Sequence, residues 1–138
     1  MGDLYVVDVS LNLPTSVPDT VLSDLRWNLG HADAAGEDTC PDEFPLWAAR
    51  GPAKRIYGVQ IGELIQSYPG WHLTVRQEVH AESLPDVEAL IERLAHHSNT
   101  EGIIGQIRFF EEDVPDLLIN SSGTLVKIPL RYSESETC

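Results

Sequence analysis

Four residues whose side chains can bind anions or move protons lie close together in the sequence, at alternating positions. His72, Arg76, Glu78 and His80 are all even-numbered, and in a β-strand such residues point to the same face. An imidazole or a carboxylate there can act as a general acid or base. A guanidinium beside it can hold a carboxylate or an enolate through paired hydrogen bonds. The pattern predicts a polar surface suited to a small organic anion.

Two further stretches are expected to add polar side chains to this surface. Leu4 to Leu13 alternates in the same way and presents Asp8, while the stretch from Gly102 to Phe110 presents Arg108. Because the net charge is −13 and only 9 residues are Lys or Arg, two arginines on one face suggest an anion site. The candidate ligand-binding residues are Asp8, His72, Arg76, Glu78, His80 and Arg108.

Three environments for this face are compatible with the sequence. Charged groups are costly to bury without partners, so the face is either open to water, paired with a second copy, or the floor of a ligand cavity. On an open face, Asp8, Arg76, Glu78 and Arg108 would form cross-strand ion pairs worth under about 1 kcal/mol each. The functional alternative is a cavity in which the arginines bind the ligand.

The elements that position these residues repeat along the chain. The strand from Trp71 to His80 is followed by Ser83-Leu84-Pro85-Asp86, in which a serine followed by an acid three residues later predicts a helix N-terminus. Ser16-Val17-Pro18-Asp19 has the same form after the strand from Leu4 to Leu13. Apolar residues at helical spacing follow both. The repeat predicts a duplicated β-α-β unit.

Two such units predict an α+β fold of the ferredoxin-like, split β-α-β type. Its sheet is antiparallel, both helices cover one face, and the first and third strands are central. This topology also requires a second strand between the first helix and the strand from Trp71 to His80. We predict it at residues 60–67, although a helix fits that stretch nearly as well. Pro69-Gly70 favours a type II turn into the next strand, and Gly62 suggests a bulge.

The remaining segments complete a single predicted domain of 138 residues. The divisions are a first β-α unit at 4–29, an acidic loop at 30–45, a β-β-α-β segment at 60–110, an added hairpin at 116–128 around a loop at 120–123, and a tail at 133–138. The hairpin must be covered by the sheet edge or by a second subunit. Leu46-Trp47 is expected to pin the acidic loop to the core.

The basic cluster of Arg50, Lys54 and Arg55 has two interpretations. It either offsets the acidic loop beside it or binds an anion with the Gly51 backbone. We favour the first interpretation, in which mutation of this surface cluster changes neither stability nor ligand affinity. Cys40 and Cys138 are expected to be free thiols in a reducing compartment.

The composition excludes several classes of function. A net charge of −13 opposes binding to nucleic acid and to anionic membranes, because both require Lys and Arg. No apolar run approaches the roughly 20 residues of a membrane span, and no signal peptide is evident, so we expect a cytoplasmic protein. The sequence has no nucleophile motif, phosphate-binding loop or metal signature, and we expect no cofactor or metal.

The duplicated pattern with one polar sheet face resembles the dimeric α+β barrel proteins of the ferredoxin-like superfamily, over residues 4–29 and 60–110. In that group, two sheets close face to face around a cavity. It includes cofactor-independent monooxygenases, isomerases and haem-handling proteins. We predict a homodimer, because the added hairpin and the free sheet face are both incomplete in one chain. Three functions remain open: a binding protein for a small organic acid, a cofactor-independent enzyme on the same residues, and an acidic module that binds or inhibits a basic partner.

Overall fold

The structure, a computed structural model, describes residues 4–30, 45–53, 58–67, 70–112 and 114–129. These residues form seven strands, two α-helices and a short 3₁₀ helix, Ala81–Ser83. The helices are α1 (Asp19–Asn28) and α2 (Leu84–His97). The strands are β1 (Leu4–Pro14), β2 (Gly51–Pro52), β3 (Val59–Ser67), β4 (Gly70–His80), β5 (Gly102–Phe109), β6 (Asp116–Ser121) and β7 (Thr124–Pro129). Neither helix is long and apolar enough to span a membrane.

The described strands form one antiparallel sheet in the order β2-β3-β4-β1-β5-β6-β7. The central strands are β1 and β4, paired in register from Leu4 with His80 to Pro14 with Gly70. The predictions of an α+β fold, an antiparallel sheet and a C-terminal hairpin are confirmed. The hairpin β6–β7 is covered by extension of the sheet, because β6 pairs with β5.

Alternation of side chains gives the two faces of the sheet different characters. Along β1, Val7, Val9, Leu11 and Leu13 are buried on one face, whereas the residues between them are partly or fully exposed. Apolar residues of both helices join the same core cluster, with Leu25 of α1 among those that are fully buried. The helices therefore cover the face that carries these apolar rows.

A segment between α1 and β3 closes one end of the core. Trp47 is fully buried, and its backbone N–H donates to Asn28 O at 2.8 Å. Gln77, the one polar residue in the apolar row of β4, accepts from Ala49 N and donates to Ala49 O and Ile61 O. Thus Gln77 ties the segment to the sheet, and Trp47 packs against the core as predicted.

Arg50 is a structural residue in this segment, contrary to the expectation for the basic cluster. Its guanidinium donates to the carbonyl oxygens of Trp47, Ala49, Leu29 and Gly62, at 2.7 to 3.0 Å. A single cation therefore joins the end of α1, the intervening segment and β3. The sequence did not reveal this role because the carbonyls come from separate parts of the chain.

The helix starts differ from the predicted capping boxes. Pro18 is the N-cap of α1 and Ser83 that of α2, and neither makes a side-chain cap hydrogen bond. The two similar four-residue segments also begin their helices at different positions. Asp19, the fourth residue of the first segment, is the first residue of α1, whereas α2 begins at Leu84, the second residue of the other segment. These segments correctly located both helices in the sequence, but the predicted capping mechanism is wrong.

Three predicted turns and bulges are also corrected. Gly70 pairs with Ser67 in the β3–β4 ladder and lacks the positive φ that a type II turn requires at that position. The β3–β4 register is continuous through Gly62, where a side chain would clash with Leu29 and Trp47, so this glycine permits close packing rather than a bulge. The β6–β7 loop has two residues, Ser122 and Gly123, both with positive φ.

Several predictions concern residues outside the described ranges. These include nearly all of the acidic loop, the tail at 133–138, and the residues Cys40, Lys54, Arg55 and Cys138. Their predicted roles stay predictions.

Candidate functional site

The sheet face opposite the helices carries the predicted polar residues. Antiparallel partners share a face, and the register places Asp8 between Arg76 of β4 and Gln106 of β5. The same register pairs Ser10 with Thr74, and Asn12 with His72. We call this row the polar strip, which comprises Asp8, Ser10, Asn12, His72, Thr74, Arg76, Glu78 and Gln106.

A groove of about 620 Å³ lies over the polar strip and is open to solvent. Its volume falls in the range of small-molecule sites. Asp8, His72 and Arg76 line it, together with Ile61 from β3 and Ile103 from β5. The groove therefore brings together three of the predicted ligand-binding residues, with apolar side chains at both of its margins.

Asp8 and Arg76 form the charged centre of this groove. Arg76 Nε lies 3.8 Å from Asp8 Oδ1, and about a third of each side chain is exposed. Gln106 Nε2 donates to Asp8 Oδ2 at 3.5 Å. Burial raises the pKa of the Asp8 carboxyl above its ordinary value, against the opposing effects of Arg76, the Gln106 hydrogen bond and Arg108. Because burial outweighs these groups, the carboxylate is incompletely compensated in this environment.

The guanidinium of Arg76 is also incompletely paired. Its Nη1 atom is buried and has no hydrogen-bond partner in the described part of the chain. The backbone of Gly58 approaches closely, since a Cβ at Gly58 would lie 3.5 Å from Nη1. A buried cationic donor without an acceptor is costly. The guanidinium thus has a buried donor that no described residue satisfies.

A second polar group occupies the other end of the groove. His72 Nδ1 lies 2.8 Å from Asn12 Oδ1, and His72 Nε2 lies 3.5 Å from Ser10 Oγ. The Asn12 backbone is fixed by the loop after α2, where Thr100 Oγ1 accepts from Asn12 N and Ser98 Oγ donates to Asn12 O. Sequence reasoning gave Ser10 and Asn12 no role, because their contacts with His72 depend on the register between β1 and β4.

The remaining predicted site residues lie away from the groove lining. Arg108 Nη1 donates to the carbonyls of Phe110 and Glu112, so it holds the turn after β5. His80 is exposed at the end of β4, opposite Leu4. Glu78 lies opposite Val6 on the polar face, and its backbone N–H donates to Gln60 Oε1 at 3.0 Å. Of the predicted site residues, Asp8, His72 and Arg76 line the groove, whereas Glu78, His80 and Arg108 do not.

Apolar side chains flank the polar strip on both sides. By register, β3 contributes Ile61 and Ile65 to this face, and Val59 follows the same alternation. The other flank comprises Ile103, Leu117, Ile119, Val126 and Ile128. Val59, Ile65 and Ile103 are 52%, 54% and 62% exposed. We call these two groups the apolar flanks.

Metal binding has no support among the residues described. No group of three or more His, Cys, Asp and Glu side chains in those ranges is placed to hold a metal ion. The residues that line the groove supply hydroxyl, imidazole, carboxyl and guanidinium groups.

Comparison with known proteins gives no relative from which a role could be transferred. The chain matches no family model, no curated protein and no solved structure.

Proposed function

We propose that the protein is a homodimer that binds a small organic anion in the groove over the polar strip. The observation that carries the proposal is the buried Nη1 of Arg76, which has no hydrogen-bond partner in the described residues. A ligand carboxylate would supply the missing acceptor, and charge-assisted hydrogen bonds of this kind are worth about 1.5–3 kcal/mol. Arg76 is then the anchor, and Asp8 holds its guanidinium in place.

The strand arrangement supports assembly through the same face. The order β3-β4-β1-β5 is that expected of a split β-α-β, ferredoxin-like fold, and the dimeric α+β barrels in that superfamily pair through their open sheets. A face of seven strands at about 4.8 Å spacing spans roughly 30 Å. Because the strands average roughly 25 Å in length, the face offers about 800 Å² per partner, the area of a standard stable interface.

Charge favours a second copy over a basic partner on this face. By register, Glu63 joins Asp8 and Glu78 there, against Arg76 and Arg108. The face is therefore nearly balanced within a chain of net charge −13. Two such faces can approach without strong repulsion, and the apolar flanks would supply the contact area. A basic partner would instead bind where the excess negative charge of the chain lies, which is outside this face.

Ligand binding is tested by isothermal titration with benzoate, 4-hydroxybenzoate, succinate and inorganic phosphate. We expect at least one carboxylate to bind, and Arg76→Ala to weaken it at least about tenfold, or ~1.4 kcal/mol. Arg76→Lys should give an intermediate loss because it keeps the charge but not the two-pronged donor. Arg93→Ala is the matched control, since Arg93 pairs with Asp24 between the helices. No binding by any acid, or equal affinity in Arg76→Ala, would disprove the anion site.

Assembly is tested separately by sedimentation velocity at micromolar concentration. The wild type should sediment at twice the monomer mass. Ile103→Lys places a charge in an apolar flank and should give folded monomers by circular dichroism. Ala89→Lys, on the exposed face of α2, adds the same charge outside the proposed interface and should remain dimeric. A monomeric wild type would exclude the homodimer.

A further inference from the structure

Ser10, His72 and Asn12 form a connected polar chain on the floor of the groove. Ser10 Oγ lies 3.5 Å from His72 Nε2, and His72 Nδ1 lies 2.8 Å from Asn12 Oδ1. A hydroxyl, an imidazole and a carboxamide oxygen in this order are the three parts of an activated nucleophile: the attacking group, its base, and the group that orients the base. All three residues line the groove.

The hydrogen bonds select one arrangement of protons. An amide Oδ1 can only accept, so the close contact at 2.8 Å requires His72 Nδ1 to carry the proton. Nε2 then has a free lone pair directed to the Ser10 hydroxyl. That is the tautomer a general base needs, and the Asn12 side chain holds it. The contact of 3.5 Å is longer than an ideal hydrogen bond, as is common for catalytic pairs before a substrate binds.

The backbone explains how three residues meet without a sequence motif. Ser10 and Asn12 are successive residues on one face of β1, and His72 lies directly opposite Asn12 on β4. One imidazole can therefore contact Asn12 across the ladder and Ser10 on the diagonal. The loop after α2 fixes Asn12 through its backbone, so its side chain remains available to His72.

We propose that Ser10 is the nucleophile of an acyl-transfer site that hydrolyses small aryl esters whose ring carries a carboxylate. The substrate class rests on the proposed function, because Arg76 would anchor that carboxylate. Ser10 lies two residues from Asp8 on β1, and Asp8 pairs with Arg76. Two residues of strand correspond to about 7 Å, close to the separation of the ester and carboxylate carbons across a para-substituted benzene ring.

The reaction consumes one water and needs no other reactant. Ser10 Oγ bonds to the acyl carbon while its proton passes to His72 Nε2, and the C–O bond to the leaving phenol breaks as that proton is returned to the phenolate oxygen. Water then attacks the acyl carbon of the acyl-serine, and His72 Nε2 accepts a proton from that water. His72 returns the proton to Ser10 Oγ as the bond between the acyl carbon and Oγ breaks, which releases the carboxylic acid and restores Ser10. Thr74, opposite Ser10 in the ladder and part of the groove lining, is positioned to donate to the acyl oxygen.

Covalent labelling is the decisive test. The wild-type protein is treated with an alkyl fluorophosphonate, and its intact mass and peptide map are measured. We expect one adduct, located on Ser10 and absent in Ser10→Ala and in His72→Ala. Ser23→Ala and His96→Ala, which alter exposed residues of the two helices, should be labelled like the wild type. No adduct, or an adduct that persists in Ser10→Ala, would overturn the proposal.

Kinetics with matched esters test the substrate class. We expect kcat/KM for 4-acetoxybenzoate to exceed that for phenyl acetate at least about tenfold, and Arg76→Ala to remove this preference. Ser10→Ala and His72→Ala should each reduce kcat/KM on the order of 10²-fold or more. Equal rates for both esters in the wild type would overturn the assigned substrate class.

Asn12 is a positioning residue, and its variants separate that role from a structural one. Asn12→Ala should lower kcat about tenfold with KM unchanged, whereas Asn12→Asp keeps the acceptor and should retain most of kcat. Equal losses in both variants would overturn the role of Asn12.

Failure of this site is distinguishable from failure of the anion site. Binding that depends on Arg76, in a wild type that forms no fluorophosphonate adduct, would support the anion site and overturn the acyl-transfer proposal. An adduct on Ser10 in a protein that binds no acid would support the nucleophile and overturn the anion site.

Discussion

The two faces of the central strands are built from alternate residues of the same segments, yet different physical requirements determine them. On β4, Leu73 and Val75 are buried under the helices, whereas Thr74 and Arg76 line an open groove. The covered face is held by packing, in which nearly every atom has neighbours. The open face is held by paired polar groups between apolar flanks. Substitutions should therefore affect stability on the covered face and binding on the open one.

The largest effect is expected from a truncation on the covered face. Leu73→Ala removes a fully buried side chain from a central strand and should lower the free energy of unfolding by about 2–5 kcal/mol. Urea denaturation followed by circular dichroism measures this change. Thr74→Ala, on the other face of the same strand, is the control and should cost less than about 1 kcal/mol. Equal losses would mean that both faces are packed alike.

Arg50→Ala should have the next largest effect on stability. Its guanidinium donates to four carbonyl oxygens from three parts of the chain, and its loss leaves partly buried acceptors without a donor. We expect a loss of about 1–3 kcal/mol. Arg93→Ala, which breaks a helix-to-helix ion pair with both side chains more than a third exposed, should cost at most about 1 kcal/mol. An unchanged free energy of unfolding in Arg50→Ala would restore the sequence-based interpretation of a dispensable surface charge.

The sequence predicted what local patterns determine. Alternation located β1, β4 and their two faces, and helical spacing located α1 and α2. It also grouped Asp8, His72 and Arg76, because each is at an even position of a strongly alternating strand. Features that depend on distant partners were missed or mistaken. Tertiary packing determines the Arg50 contacts, the residue at which each helix begins, and the register that joins Ser10 to His72.

The β5 strand shows the same limit within the site. Its register shifts between Ile103 and Gly105, and a Cβ at Gly105 would lie 2.1 Å from Asp8 O. Glycine thus permits β5 to approach β1 beside the charged pair. Arg108 was grouped with Arg76 from alternation alone, but its guanidinium turns to the carbonyls after β5. Alternation predicts a residue's face, while the direction of a long side chain depends on nearby acceptors.

The pH dependence of stability provides a sharper test of the open face. Burial raises the pKa of Asp8 in the folded protein, so between its ordinary pKa and the raised value the folded state binds more protons than the unfolded state. The contribution of Asp8 to stability therefore falls as pH rises through that window. In Asp8→Asn this fall is absent. The unfolding free energy of the wild type minus that of Asp8→Asn should decrease with rising pH, measured by urea denaturation at a series of acidic to neutral pH values. A difference that increases with pH would show that Arg76 outweighs burial.

The smallest effect on stability is expected at Arg76, the proposed anchor of the ligand. In the structure, its contact with Asp8 is 3.8 Å long and about a third exposed, which makes a weak pair, and removal also eliminates a buried donor that has no partner in the described residues. Loss of the ion pair lowers the free energy of unfolding, whereas removal of the unpaired buried donor raises it. Because these two contributions oppose one another, Arg76→Met should change the free energy of unfolding by less than about 1 kcal/mol.

The same variant should still change the electrostatics of the open face. Because the Arg76 charge lowers the pKa of Asp8, Arg76→Met should raise it further, as measured by titration of the Asp8 side-chain carboxyl by NMR. Arg93→Met provides the control and should leave that pKa unchanged. Unchanged stability with a raised Asp8 pKa and lost anion binding would separate the functions of the two faces. A loss comparable to that of Leu73→Ala would instead assign Arg76 to the folding core.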